Sequence, residues 1–316
     1  MTVLVVVEHD RGVLSPASLE ALTAAHTIDA QVEALTLGAA ADALAAELAA
    51  HGAAVVHQAH HVLLTDYGPE AWGEAVAQAV RALAPEVVVA CGTDRGNEVM
   101  AQAAARLDLP LVANCTEIDT STWEITRVRW GGSLLERCTL TASTKLLTVS
   151  HHTFEPAPSA AAGVTQPVAA DLQSSLARTV VAERVERAAG VTLATAPLVV
   201  GGGRAVGSAE AFAPLEELAA RLGGVVGCSR AVTNNGWRNH VDQVGQTGTR
   251  IAPDLYIACG ISGAIQHWVG AMASKTILAI NTDPEANMVT KADYAVIGDL
   301  HKVVPAITAE IARRKG

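Results

Sequence analysis

The chain has 316 residues, half of them hydrophobic and only 3% aromatic, with a formal net charge of −10. That length suits one large domain or two ordinary ones, and the acidic balance argues against nucleic acid, whose phosphates need clustered Lys and Arg. No apolar stretch is long enough to span a bilayer, so membrane insertion is not expected either.

Residues 1–9 read MTVLVVVEH, with no basic segment before the apolar run and acidic residues after it. They predict a buried strand and not an export signal. Ser15 and Pro16 then open a helix with Leu19 and Leu22 on one face. Residues 32–37 form the next strand, followed by Ala-rich helical sequence to residue 50. The run EVVVACG (86–92) is a strand ending in a turn, and NEVMAQAAARL a helix. This alternation marks an α/β layer fold. After residue 113, period-2 alternation broken at Gly131 and Gly132 predicts antiparallel strands added to the sheet. The Pro-, Ala- and Ser-rich segment 153–171 reads as a loop or linker, ARTVVAERVER (177–187) as one more strand, and the histidine pairs 60–61 and 151–152 as exposed. The five cysteines (91, 115, 138, 228, 259) form no CxxC pair, which fits a reducing compartment; the expected location is the bacterial cytoplasm.

From about residue 189 the βα rhythm restarts, giving an expected division into a domain of residues 1–188 and one of 189–316. Phe212, Leu215, Leu218 and Leu222 make a helical stripe, and Leu300, Val303, Val304, Ile307 and Ile311 make another in the last helix. Five apolar runs end in small or polar residues: Gly201–Gly202–Gly203–Arg204; Cys228–Ser229–Arg230; Gly260 to His267; Asn281 and Asp283; Gly298 and Asp299. In a doubly wound parallel sheet, ligands bind outside the carboxyl ends of the strands. Glycines there admit a ligand to the backbone, Ser262 fits as the N-cap of the following helix, and Arg204 and Arg230 can balance phosphate charge. Asn281 and Asp299 can read a ribose or base. The composition suits a nucleotide cofactor, with no metal cluster and no nucleophile–base pair.

Each feature also has a plainer reading. GGGRAVG misses the GxGxxG spacing by one place and taken alone reads first as a plain strand–helix turn. The arginines serve as surface ion-pair partners, His267 as a helix residue bonded to a backbone carbonyl, QVGQTG as a glycine-rich turn, and Asp299 as the cap of the last helix. Two rival functions stand beside these: a nicotinamide-dependent dehydrogenase, and a nucleotide-binding module without redox work.

The segments VGCSRAV, QVGQTG, DLYIACGISGAIQH, AINTDPEA and ADYAVIGDL resemble, in order and spacing, the alpha subunit of electron transfer flavoproteins, and VEHDRGVLSPASLEALTAA resembles that subunit's start. The resemblance implies a Rossmann-like C-terminal domain holding one FAD. It implies an N-terminal domain that pairs with a beta subunit carrying AMP or, in bifurcating members, a second FAD. Electrons would come from flavin dehydrogenases such as acyl-CoA dehydrogenases and pass singly to a quinone oxidoreductase or another acceptor; an electron-bifurcating, NADH-dependent complex is the alternative. By matching motif, the FAD site would comprise Arg204, Ser229, Arg230, Val244, Gly245, Gln246, Thr247, Ser262, Gly263, Ala264, Ile265, Gln266, His267, Asn281, Asp299 and Leu300. Of these, Arg230 would lie over the isoalloxazine, Thr247 would reach N5 and His267 the C2 carbonyl. Two departures stand out: Ala205 replaces a customary glycine, and Arg238, Asn239 and His240 replace a proline-containing loop.

Overall fold

The computed structural model of the chain describes residues 1–184 and 191–315. Two compact units divide it, Met1–Glu186 and Arg187–Gly316. The boundary expected at residues 188 and 189 lies outside the described residues.

The first unit contains β1 (Thr2–Val6), β2 (His9–Asp10), β3 (Val13–Leu14), β4 (Gln31–Leu37), β5 (Val55–Ala59), β6 (Val87–Cys91), β7 (Leu111–Asp119), β8 (Glu124–Arg129), β9 (Leu134–Thr139), β10 (Lys145–Val149) and β11 (Val164–Val168). Its main helices are α1 (Pro16–Ile28), α2 (Ala45–Ala50), α3 (Pro69–Leu83) and α4 (Asp94–Leu107). Nine strands form one sheet in the order β11-β5-β4-β1-β6-β10-β7-β8-β9. The β1 run is continuously apolar because both its faces are covered. Val3 and Val5 enter one core cluster with Leu22 and Ala25 of α1, and Leu4 and Val6 enter the other with Trp72 and Val76 of α3. The antiparallel additions are β8, paired on β7, and β9, paired on β8, as the alternation predicts.

Two expectations about the end of this unit are corrected. The Pro-rich segment contributes β11, which pairs parallel with β5 at the sheet edge; an edge tolerates Pro167 because one side of the strand needs no partner. Residues 177–184 form no strand. Thr179 instead bonds Glu70, and Arg184 grips Asp66 with two hydrogen bonds of 2.8 and 2.6 Å. Alternation by itself supplied no neighbouring strand edge; the last part of that expected strand, 185–187, lies outside the described residues.

The second unit is a parallel sheet of β12 (Leu198–Gly202), β13 (Val225–Cys228), β14 (Leu255–Cys259), β15 (Ile277–Asn281) and β16 (Tyr294–Ile297), in the order β13-β12-β14-β15-β16. Helices α5 (Ala213–Leu222) and α9 (Leu300–Lys315) cover one face, α7 (Ile265–Ala271) and α8 (Asn287–Lys291) contribute to the other, and α6 (Arg230–Asn234) follows β13. Both predicted apolar stripes lie in the α5–α9 core. The strand order runs outward in opposite directions from β12 and β14, so the crevice of a doubly wound sheet lies at their carboxyl ends. No helix among the described residues is long and apolar enough to cross a membrane.

Candidate functional site

At the end of β12 three glycines each make room for something different. A Cβ at Gly201 would overlap the Tyr256 ring and hydroxyl, one at Gly202 would overlap Phe212, and one at Gly203 would overlap the Gly260 carbonyl. The Gly203 N–H donates to Cys259 O at 2.8 Å, so the ends of β12 and β14 meet backbone to backbone. The chain then enters a short turn, Arg204–Val206, which leaves the Arg204 side chain exposed. Ala205 packs over Gly260, whose φ of 64° and missing Cβ accommodate it. The Ala205 departure therefore fits without disturbing the turn.

Ser229 and Arg230 follow β13, where the Ser229 N–H donates to Gly202 O at 3.0 Å. Arg230 is exposed, and neither it nor Arg204 has an ion-pair partner among the described residues. Arg238 behaves differently. It bonds Glu216 at 2.6 Å and Asp242 at 3.0 Å and lies over the Phe212 ring. The altered loop is thus tied down by its own arginine, and the two rim arginines keep their charge available.

The QVGQTG loop is clamped from both ends. Val244 N–H donates to Cys228 O at 2.8 Å, and Gln246 N–H donates to Gln266 O at 2.7 Å, with Gly245 pressed against Gly270 of α7. Gln243 is buried; its Oε1 accepts from the Thr233 hydroxyl at 2.8 Å and its Nε2 donates to Thr247 Oγ1 at 3.0 Å. Since that oxygen already accepts a hydrogen bond, the Thr247 proton is directed elsewhere. Gln246 and Thr247 themselves are exposed.

The turn after β14 departs from the expected capping. Ala264, not Ser262, occupies the N-cap of α7, and the Ser262 carbonyl instead accepts from Met288 N–H at 3.2 Å. The reason is Gly263, which takes a φ of 77° and delays the helix. Ser262, Ala264, Ile265 and Gln266 are exposed, whereas His267 is buried. Its Nε2 lies 2.8 Å from the Tyr256 hydroxyl, and its Nδ1 is buried without a hydrogen-bond partner among the described residues. Burial lowers the pKa of this imidazole to about 4, so it is neutral at pH 7.

Other expected members contribute less. The Asn281 amide is engaged at both ends, donating to Ile261 O at 3.0 Å and accepting from Asp283 N–H at 3.1 Å, so it shapes the turn. Asp299 accepts from His301 N–H at 2.9 Å as the cap of α9 and stays exposed. Val244 and Leu300 send their side chains into cores. Sequence reasoning missed Tyr256 and Gln243; the one signal was a phenol and an amide inside otherwise aliphatic or glycine-rich runs.

The histidine pairs of the first unit do not both stay exposed. His60 pairs with Asp42 at the surface, but His151 and His152 stack on each other at 3.6 Å. His151 Nδ1 bonds the buried Glu20 at 2.9 Å, and the His152 N–H donates to the same carboxylate at 2.6 Å. Cys91 approaches this group, so the ligand atoms of Glu20, Cys91 and His151 lie within 4.8 Å of one another, but the carboxylate is already engaged by its neighbours. Burial pushes the Cys228 and Cys259 thiols up to about 12, which removes them as nucleophiles.

With this geometry in view, comparison with known proteins is specific. The description "Electron transfer flavoprotein domain" matches residues 3–175, and "Electron transfer flavoprotein FAD-binding domain" matches residues 192–272. The electron transfer flavoprotein subunit alpha of Bacillus subtilis is 35% identical over 313 residues, 98% of this chain and 96% of that protein. The protein of the same name from Mycobacterium tuberculosis is 38% identical over 319 residues, 99% of each. A probable mitochondrial counterpart from Caenorhabditis elegans is 36% identical over 310 residues, 98% of this chain and 93% of that protein.

Proposed function

The chain belongs to the electron transfer flavoprotein alpha-subunit family, and from that premise we propose that its second unit carries one FAD on the glycine-lined rim, making the chain a redox carrier with no substrate turnover of its own. In this reading it pairs with a beta subunit that holds AMP or a second FAD. It receives electrons from flavin dehydrogenases, such as acyl-CoA dehydrogenases, and hands them singly to a quinone oxidoreductase or another acceptor.

The observation that carries the reading is the buried, partnerless Nδ1 of His267. A buried polar group left unsatisfied costs about 1–3 kcal/mol, and an acceptor on a bound cofactor removes that cost. Arg204 and Arg230, unpaired among the described residues, add two permanent positive charges on the same rim. Exposed Thr247, whose oxygen accepts from Gln243, keeps its proton free to donate at the same end of the sheet. FAD, when bound, supplies the redox chemistry. The residues supply fixed donors and charge that favour added negative charge, as preorganised dipoles do elsewhere. A hydrogen bond to a charged group contributes about 1.5–3 kcal/mol, so His267 raises the first reduction potential by roughly 60–130 mV at about 59 mV per tenfold change for one electron.

The test is to co-express the chain with its beta subunit and count FAD and AMP per heterodimer by absorbance after release. One FAD and one AMP are expected; two FAD would turn the reading to the bifurcating, NADH-dependent type. A heterodimer that stays colourless after incubation with excess FAD would end it.

A further inference from the structure

We propose that Tyr256 is a positioning residue: its hydroxyl donates to Nε2 of His267 and so fixes the imidazole proton on Nδ1, giving the rim a hydrogen-bond donor that selects a carbonyl oxygen at that point of the cofactor. The cofactor half of this statement rests on the reading of the rim as an FAD site, whereas the tautomer half is a property of the chain alone.

Tyr256 and His267 are both buried, with Oη and Nε2 2.8 Å apart, and the His267 Nδ1 has no partner among the described residues. A phenol brings one proton and a neutral imidazole brings one. If the imidazole donated through Nε2–H, the phenol proton would lack an acceptor among the described residues and the Nδ1 lone pair would lack a donor, leaving two buried groups unsatisfied. If Tyr256 donates, the only group left over is Nδ1–H. Since each buried unsatisfied group is costly, the second arrangement wins. Charged alternatives are disfavoured on both sides. Burial holds the phenol protonated well above its ordinary range, and it lowers the imidazole pKa in the absence of any carboxylate partner.

Gly201 supplies an independent sign that the hydroxyl is placed deliberately. Tyr256 pairs with Val199 across the sheet, and its ring lies where a Cβ at Gly201 would sit. The first glycine of GGGRAVG therefore clears the path by which the phenol reaches His267. The result is directional: a ligand atom bearing its own N–H opposite Nδ1 would meet a donor and be rejected, while a carbonyl oxygen is accepted and held more tightly as negative charge gathers on it.

The experiment uses the heterodimer labelled with 15N-histidine, with His267 signals identified by their loss in His267→Asn. Long-range 1H–15N correlation is expected to show a protonated Nδ1 and a bare, hydrogen-bonded Nε2. In Tyr256→Phe those shifts should collapse toward the averaged values of two exchanging tautomers, and the one-electron potential should fall while the FAD count stays at one. Gly201→Ala, which displaces the hydroxyl with Tyr256 still present, should reproduce the change in shifts. A proton found on Nε2 in the wild type, or spectra unchanged by Tyr256→Phe, would overturn the proposal. Correct shifts in a protein that takes up no FAD would instead sink the FAD reading and leave the tautomer assignment standing.

Discussion

Two buried histidines, one in each unit, have opposite surroundings. His9 in the first unit bonds Leu37 O through Nε2 at 2.7 Å and accepts from Gly12 N–H through Nδ1 at 3.2 Å, so both ring nitrogens are used by the fold. His267 in the second unit has one nitrogen on Tyr256 and one without a partner among the described residues. The same contrast extends to the charges. In the first unit Glu33 holds His57 at 2.7 Å and Glu20 holds His151 at 2.9 Å. On the rim, Arg204 and Arg230 are unpaired among the described residues. Orphaned buried atoms also occur in the first unit, at His26 Nε2 and Glu70 Oε2, so what sets the second unit apart is an orphaned ring nitrogen together with exposed arginines at the carboxyl ends of its strands.

The comparison can be broken most decisively at Arg230. Removing a charge-assisted contact worth about 1.5–3 kcal/mol should weaken FAD retention by roughly 10- to 100-fold in Arg230→Ala and lower the reduction potential as well. Wild-type values of both would make the residue an ordinary surface arginine. The two histidines offer the next contrast. His267→Ala should lower the first reduction potential by tens of millivolts with FAD still bound, as read in a reductive titration. His9→Ala should leave the potential alone but destabilise the first unit by about 1–3 kcal/mol, because Leu37 O and Gly12 N–H lose their partner. Equal effects of the two variants on the potential would erase the distinction.

Acid should sharpen the contrast further. The folded pKa of His267, about 4, lies below the unfolded value of 6.5. Its neutral burial is therefore compatible with full stability above the unfolded pKa, and stability falls as pH drops toward the folded value, since the unfolded chain takes the proton first. The second unit should lose about 2 kcal/mol between pH 7 and pH 5 from this group, measured by urea unfolding, and His267→Asn should flatten that slope. At the small end lies His60, whose pair with Asp42 is exposed. His60→Ala should change stability by at most about 0.5 kcal/mol, and a larger loss would show that surface pairs in the first unit matter more than their exposure suggests.

Much of this arrangement was readable along the chain. The apolar β1 run, Pro16 at the head of α1, the stripes of α5 and α9, and five strands ending in glycine or polar residues all follow from local periodicity and turn chemistry. The resemblance to electron transfer flavoproteins agreed with the family that the chain matches over nearly its whole length. Errors arose where a local pattern depended on a distant partner. Residues 177–184 alternate but have no strand to join, while Val164–Val168 found an edge inside a Pro-rich stretch. Ser262 has the side chain of a cap, but the φ of Gly263 moved the helix start to Ala264. His151 and His152 are neighbours in sequence, yet their carboxylate comes from Glu20, more than a hundred residues away.

The amino-acid sequence by itself determined the two α/β units, the parallel strands of the second and the edge on which its polar residues collect, because burial and backbone preference repeat within a few residues. Only the tertiary structure decided which of those polar residues the fold consumes. Tyr256 meets His267, Gln243 meets Thr247 and Arg238 meets Glu216 and Asp242 through space, and hydrogen-bond satisfaction is a property of neighbours that periodicity does not encode.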